Sequence, residues 1–176
     1  MMQEIETSQP GQTEAFDSLK PLDSVKKEGK YLAFTLDRED YGIRILKVRE
    51  IIGMMPITTV PQTPDFVLGV INLRGKVIPV IDLRVRFGMR PSAHNDRTCI
   101  VVVEFAQGSG AIPMGIVVDS VSEVFHIKES DIEPTPSFGV KINTDFILGM
   151  AKIGDSIKIL LDIDRVLSAQ DLEGIV

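Results

Sequence analysis

The sequence predicts a mainly β protein: two small, five-stranded β-barrels lying side by side, with short helices. Three observations carry that prediction. First, the chain repeats itself. Phe66-Val67-Leu68-Gly69 returns as Phe146-Ile147-Leu148-Gly149, 80 positions on, and at the same offset Val77 meets Ile157, Val80 meets Leu160 and Asp82 meets Asp162. Upstream, Tyr41-Gly42-Ile43 answers to Met114-Gly115-Ile116 at an offset of 73, with Val48 on Val121 and Glu50 on Glu123. The seven-residue difference falls between the blocks, where Val60-Pro61-Gln62-Thr63-Pro64 faces the longer stretch 132–144. Second, the apolar residues come in short β-rich runs bounded by turn formers. Third, about five such strands and one short helix per copy are too few for a wide open sheet. Units of that size close into small barrels, which removes exposed edges. Two copies are also too few for a solenoid, which needs about three repeats to bury a continuous core. The duplication therefore reads as a pseudo-symmetric pair, and the surface between the copies is the first place to look for function.

The elements follow in order. Residues 1–28, rich in Glu, Gln, Ser, Thr and Lys, offer little to bury and read as a flexible acidic, polar tail. Residues 31–36 and 99–105 read as strands, closed by turn-forming stretches at 37–40 and 107–110. Residues 43–52 fit a helix on spacing alone. Their counterpart, Val117-Val118-Asp119-Ser120-Val121-Ser122-Glu123-Val124-Phe125, is too β-branched for one, so both read as strand, tight turn, strand. Leu73-Arg74-Gly75-Lys76 is a hairpin tip, with Ile153-Gly154-Asp155-Ser156 as its twin. Pro79 removes a ladder donor, which places its strand at an edge or a bulge. Asp82 and Asp162 end their strands and cap short helices at 83–87 and 163–167. The expected folded domain is 29–168, with one barrel over 31–89 and the other over 98–168, joined through residues 90–98. Exchange of terminal strands between the barrels is left open, and 169–176 form a C-terminal end.

Composition narrows the function classes. A chain of 176 residues, 44% hydrophobic and 25% charged, has enough apolar content for a packed core. No apolar run reaches the roughly 18 residues of a membrane span, and the acidic start does not resemble a secretory signal, so direct membrane insertion is not expected. The lone Cys99 forms no internal disulfide, which suits a reducing cytoplasm. Formal charge is −6, and residues 1–28 hold six acids against three lysines. With no basic stripe and no Trp to stack bases, nucleic-acid binding is disfavoured.

Nothing in the motifs looks built for covalent chemistry. His94 and His126 are the only histidines, 32 residues apart, with no second ligand at metal spacing. Cys99 opens an apolar strand with no His beside it in sequence, and reads as a small hydrophobe. Asp82 and Asp162 have a sufficient reason as helix caps, so a carboxylate dyad is not invoked. Gly108-Ser109-Gly110 is a hairpin tip and lacks the third glycine of a dinucleotide fingerprint. No cofactor and no metal are expected. What remains are surfaces. Arg74 is either solvated turn decoration or a side chain presented outward by its tip. Phe138, in a long loop between Pro136 and Gly139, either plugs the space between barrels or anchors a partner. Val48, Val121 and Val124 read as core that partly lines a groove between barrels, and such a groove suits an amphipathic helix.

Tyr41-Gly42-Ile43, Val48-Arg49-Glu50-Ile51, Gly69-Val70-Ile71-Asn72-Leu73-Arg74-Gly75, Pro79-Val80-Ile81-Asp82-Leu83-Arg84 and Gly115-Ile116-Val117-Val118-Asp119-Ser120-Val121 together resemble the CheW family, the bacterial chemotaxis coupling proteins. The likeness covers roughly residues 31–167. It implies two five-stranded, SH3-like barrels and a non-enzymatic scaffold that bridges the cytoplasmic tip of methyl-accepting chemoreceptors to the histidine kinase CheA. It implies a cytoplasmic protein recruited to membrane-associated receptor arrays, alternating there with CheA in rings and meeting other CheW copies. Position by position, Val48, Glu50, Gly69, Arg74, Val121 and Val124 match receptor- or kinase-contact positions, and Phe138 matches an aromatic that helps close the ring interface. Residues 106–114 form a longer hairpin than is usual in the family. The family's CheV-type variants carry an added receiver domain that is not expected here. A related adaptor of a non-flagellar pathway shares all these features, and a small-ligand-binding or enzymatic barrel is the different-class alternative. That last reading needs a pocket lined by convergent polar groups.

Overall fold

The computed structural model describes residues 26–136 and 144–167; residues 1–25 of the tail expected over 1–28, and the end at 169–176, lie outside them. Residues 26–28 are held on the fold, Glu28 accepting the Glu129 N–H at 3.0 Å. Eleven strands are described: β1 (Gly29–Leu36), β2 (Glu39–Arg44), β3 (Val48–Gly53), β4 (Val67–Leu73), β5 (Lys76–Asp82), β6 (Cys99–Gln107), β7 (Gly110–Val118), β8 (Ser120–Ile127), β9 (Ile132–Glu133), β10 (Ile147–Ile153) and β11 (Ser156–Leu161). Tight connections join them as the turn chemistry requires. A 3₁₀ turn, Ile45–Lys47, separates β2 from β3, and Asp119 alone separates β7 from β8. The Asp82 carboxylate accepts the Arg84 N–H at 3.0 Å to start the helix Leu83–Arg86. Asp162 does the same for Asp164 at 3.1 Å to start a 3₁₀ turn, Ile163–Arg165.

The strands form two sheets, ordered β8-β1-β2-β11-β10-β9 and β3-β6-β7-β5-β4. This is the expected mainly β fold of two SH3-like barrels. The sixth strand is the two-residue β9, which pairs Glu133 with Met150; in the other sheet a single bridge, Thr58 to Val70, takes the same place. The two orders are one topology written twice, since β1, β2, β3, β4 and β5 correspond to β6, β7, β8, β10 and β11.

Sheet membership does not follow the duplication boundary. The hairpin β1–β2 from the first copy lies between β8 and β11 of the second, and β6–β7 from the second lies between β3 and β5 of the first. Each barrel is thus completed by a hairpin from the other copy, and neither coincides with 31–89 or 98–168. The exchange rests on two parallel ladders, Leu160 beside Gly42 and Val80 beside Gly115. A Cβ on Gly42 would stand 3.2 Å from the Leu160 methyl, and one on Gly115 would stand 3.3 Å from the Val80 methyl, each on the host strand. The glycine in each copy of the repeat is where the exchanged hairpin closes on its host.

Burial follows the exchange. Tyr31, Ile127, Ala151 and Leu160 fill one barrel; Ile71, Ile78, Val80, Ile100, Val102 and Val117 fill the other. The largest apolar cluster lies on neither list. It joins Leu32, Phe34, Leu36, Tyr41 and Ile43 to Val101, Val103, Phe105, Met114, Ile116 and Val118 from the opposite sheet. The space between the barrels is therefore packed core, and the groove that Val48, Val121 and Val124 were expected partly to line is filled there. Pro79 also departs from expectation. β5 is an inner strand, but its ladder to β7 starts only at Val80, so the residue without an N–H stands where one flank of the strand is unladdered.

Candidate functional site

β3 is an outer strand of its sheet, and alternation along it turns Val48, Glu50 and Ile52 half inward and Arg49, Ile51 and Gly53 outward. Val48 faces Val103 while Glu50 faces Val102, which makes Arg49 the extra residue of a β-bulge. Arg49 reaches Glu104 on the neighbouring strand at 2.9 Å. Val48 packs onto the inter-barrel core.

Arg74 sits at the β4–β5 tip, with φ of 51° there and 87° at Gly75, the pattern of a type I′ turn. Asn72 holds the turn by accepting the Gly75 N–H at 2.8 Å. The guanidinium, 70% exposed, forms an ion pair with Glu50. In sheet order the β5 end of this tip lies three strands from β3. A flat sheet would hold those strands about 14 Å apart, so the pair marks how far the sheet curls toward closure. A surface hollow of about 220 Å³ lies here, lined by Glu50, Arg49, Arg74 and Lys76 with Val102 and Pro113: three cations around one carboxylate over apolar backing.

Gly69 belongs to the same barrel but presents no surface. Its φ is 143°, and a Cβ would stand 2.1 Å from the Thr58 carbonyl oxygen, because Thr58 and Val70 exchange backbone hydrogen bonds of 2.8 and 2.9 Å across it. Val121 and Val124 lie on β8, the outer strand of the other sheet. Val121 packs on the inter-barrel core opposite Phe34, and Val124, opposite Leu32, is 51% exposed. The structure thus joins Glu50 to Arg74, keeps Val48 on the same strand, and sets Val121 and Val124 on a separate sheet. Phe138 lies outside the described residues.

Sequence reasoning missed two polar clamps. Arg84 Nε and Nη2 donate to the two Asp119 oxygens at 2.7 and 2.6 Å, Asp119 accepts the Asp37 N–H at 2.8 Å, and Arg84 also donates to the Arg90 carbonyl at 3.3 Å. Burial alone would raise the Asp119 pKa, but the hydrogen bonds from Arg84 and Asp37 outweigh it and hold the carboxyl below its ordinary value. In the second clamp, Lys47 donates to Asp164 at 2.9 Å, and Asp164 accepts the Ala106 N–H at 2.9 Å. The available signal was position: Arg84 and Asp164 each follow a capping aspartate by two residues.

His94 and His126 are exposed. Burial pushes the half-buried Cys99 thiol up, away from the reactive thiolate. Among the described residues no group of His, Cys, Asp or Glu could hold a metal ion, and no helix is long and apolar enough to cross a membrane. This arrangement offers charge and apolar surface for recognition.

The model of the CheW-like domain family matches residues 30–171. The chain belongs to the CheW family. Chemotaxis protein CheW of Klebsiella aerogenes is 41% identical over 143 residues, covering 81% of this chain and 84% of that protein. The probable chemotaxis protein CheW of Rhizobium etli is 33% identical, over 81% and 89% of the two chains. Among solved structures, the scaffolding protein TtCheW of Thermoanaerobacter tengcongensis superposes with a TM-score of 0.72 at 38% identity, covering 82% of this chain and 95% of that one. The family motifs fall at structural landmarks: Gly42 and Gly115 at the exchange ladders, Asn72 and Arg74 at the hairpin tip, and Arg84 and Asp119 in the first clamp.

Proposed function

We propose that this chain is a non-enzymatic chemotaxis adaptor that couples methyl-accepting chemoreceptors to the histidine kinase CheA. Membership of the CheW family supports the adaptor reading, as do a relative named for chemotaxis and a structural neighbour described as scaffolding. The observation that carries the coupling role is the division of the candidate residues between two sheets. Arg74, paired with the half-buried Glu50, faces solvent on one barrel and Val124 on the other, and a bridging protein needs two surfaces that partners occupy together. The rigid inter-barrel core would hold those surfaces at fixed spacing. In this reading the chain is cytoplasmic and recruited to receptor arrays, where it meets CheA, receptor tips and other copies of its family, with Phe138 at the ring contact.

Coupling requires differential affinity. A scaffold that bound the active and inactive arrangements equally would shift nothing. Single contacts of micromolar strength, about 8 kcal/mol each, suffice once an array links many of them. The test is CheA autophosphorylation with receptor-containing membranes, with and without this protein. Strong activation only when all three are present, suppressed by attractant, is the expected result. Folded protein that leaves kinase activity unchanged would overturn the coupling role.

A further inference from the structure

A second hollow, of about 300 Å³, lies on the six-stranded barrel, away from the Glu50–Arg74 surface. Its floor is apolar, made by Ile147, Leu148, Leu161 and Ile163, and its rim carries Lys27, Arg44, Lys47 and Arg165 with Asp162 and Asp164. Two rim cations are answered: Lys47 pairs with Asp164 at 2.9 Å, and Arg165 with Asp162 at 3.6 Å. The other two are not. Arg44 stands over the Tyr31 ring and donates Nη2 to the Lys26 carbonyl at 2.9 Å, and neither it nor the Lys27 ammonium has a carboxylate partner among the described residues. The hollow thus asks for a ligand with apolar side chains and about two negative charges.

The chain itself supplies such a segment. Residues 1–25 carry Glu4, Glu6, Glu14, Asp17 and Asp23 against Lys20 alone, and their last ten positions interleave Phe16, Leu19, Leu22 and Val25 with Asp17 and Asp23. That segment enters the described structure at Lys26, the residue whose carbonyl Arg44 holds, so it starts at the rim. Leu22 is four residues from Lys26 and Leu19 seven, within about 14 and 25 Å of it even when extended. A tether this short places the segment at millimolar effective concentration, so weak contacts suffice.

We propose that residues 16–25 dock into this hollow, with Leu19 and Leu22 on the apolar floor and Asp17 and Asp23 on Arg44 and Lys27. The acidic start of the chain is then an intramolecular ligand that covers an amphipathic site, in contrast to the solvated tail expected from composition. The occupant is the chain's own segment; the stretches 137–143 and 168–176, or a second copy, are the competitors.

The test uses the full chain with Cys99→Ser and a nitroxide on Ser18→Cys, read by paramagnetic broadening of backbone amide signals. Broadening should centre on Leu148, Ile163 and Arg165 at low protein concentration. It should fall at least threefold in 0.5 M salt and in the double variant Lys27→Glu, Arg44→Glu. A thermal melt of that variant establishes that it is folded; if it is not, Asp17→Lys with Asp23→Lys, outside the described fold, reads the same loss. Broadening that is absent from the hollow or centred elsewhere overturns the proposal. So does broadening that depends on protein concentration, since that assigns the site to a second copy.

Discussion

Arg84 and Asp164 hold the same position in the two copies and carry opposite charges. Each stands two residues after its capping aspartate and reaches the joint between the exchanged hairpin and the next strand: Arg84 meets Asp119, and Asp164 meets Lys47. In both clamps the carboxylate also accepts a backbone N–H from the partner hairpin, Asp37 in one and Ala106 in the other. The geometry has been kept while the polarity has been reversed. Each clamp ties a hairpin to the copy that hosts it, and the Arg84 clamp is the better formed, with two short parallel hydrogen bonds.

The first clamp makes stability depend on pH. The Asp119 carboxyl is held below its ordinary value in the folded protein, so its contribution is fully present above the unfolded value of about 3.9. It is lost as pH falls through the lower folded value. Urea midpoints measured from pH 6 down to pH 2 should decline on the acid side, and Asp119→Asn should flatten part of that decline. Arg84→Ala should cost about 1.5–3 kcal/mol at neutral pH by stranding a half-buried carboxylate. A midpoint unchanged in Arg84→Ala would remove the clamp from the account of stability.

The hairpin tip separates folding from recognition. Arg74 adopts a left-handed φ of 51°, which costs a non-glycine residue about 1 kcal/mol. Its exposed pairing with Glu50 returns no more than about 0.5 kcal/mol. Arg74→Gly should therefore match or exceed the parent in thermal stability while weakening kinase or receptor binding by about tenfold. A variant that loses both would place Arg74 in the core machinery of the fold.

The β1–β2 turn places two residues other than glycine at positive φ, Asp37 at 49° and Arg38 at 73°. Asn-Gly or Asp-Gly is the favoured pair for such a turn. Arg38→Gly should raise stability by about 0.5–1 kcal/mol, read as a higher melting temperature.

Gly69 should behave in the opposite way. Gly69→Ala drives a Cβ into the Thr58 carbonyl and requires a positive φ, so a loss of more than about 2 kcal/mol is expected. Any loss of partner binding should follow from displacement of residues 57–58. Reduced binding with an unchanged melt would make Gly69 a contact residue in its own right.

The duplication was legible in sequence because Gly42, Gly69, Asp82 and their counterparts each meet a local demand: a close approach, a crowded crossing, a cap. The hairpin tips were legible for the same reason, since Arg74-Gly75 and Gly154-Asp155 act within four residues. The exchange of hairpins was not. β1–β2 has the same period and apolar pattern whichever sheet receives it, and the choice depends on ladders such as Leu160 to Gly42, made across more than a hundred residues. The same range hid the inter-barrel core. Val48 and Val121 read as core, but which core was not legible, because nothing local reveals that Val103 and Phe34 stand opposite them. Arg74 was singled out by its place at a hairpin tip and Glu50 through a family resemblance, and only curvature of the sheet brings them into contact.

The reciprocal hairpins also set an order of events during synthesis. β1–β2 is complete at residue 44, but the strands that flank it, β8 and β11, end at residues 127 and 161. At about 5–20 residues per second, the first hairpin leaves the ribosome on the order of ten seconds before its sheet exists. Through that interval Phe34, Tyr41 and Ile43 have no permanent cover, and the neighbouring chain on a polysome carries the same vacant seat. That interval is when the apolar face of the first hairpin is open to misassembly with a neighbouring chain.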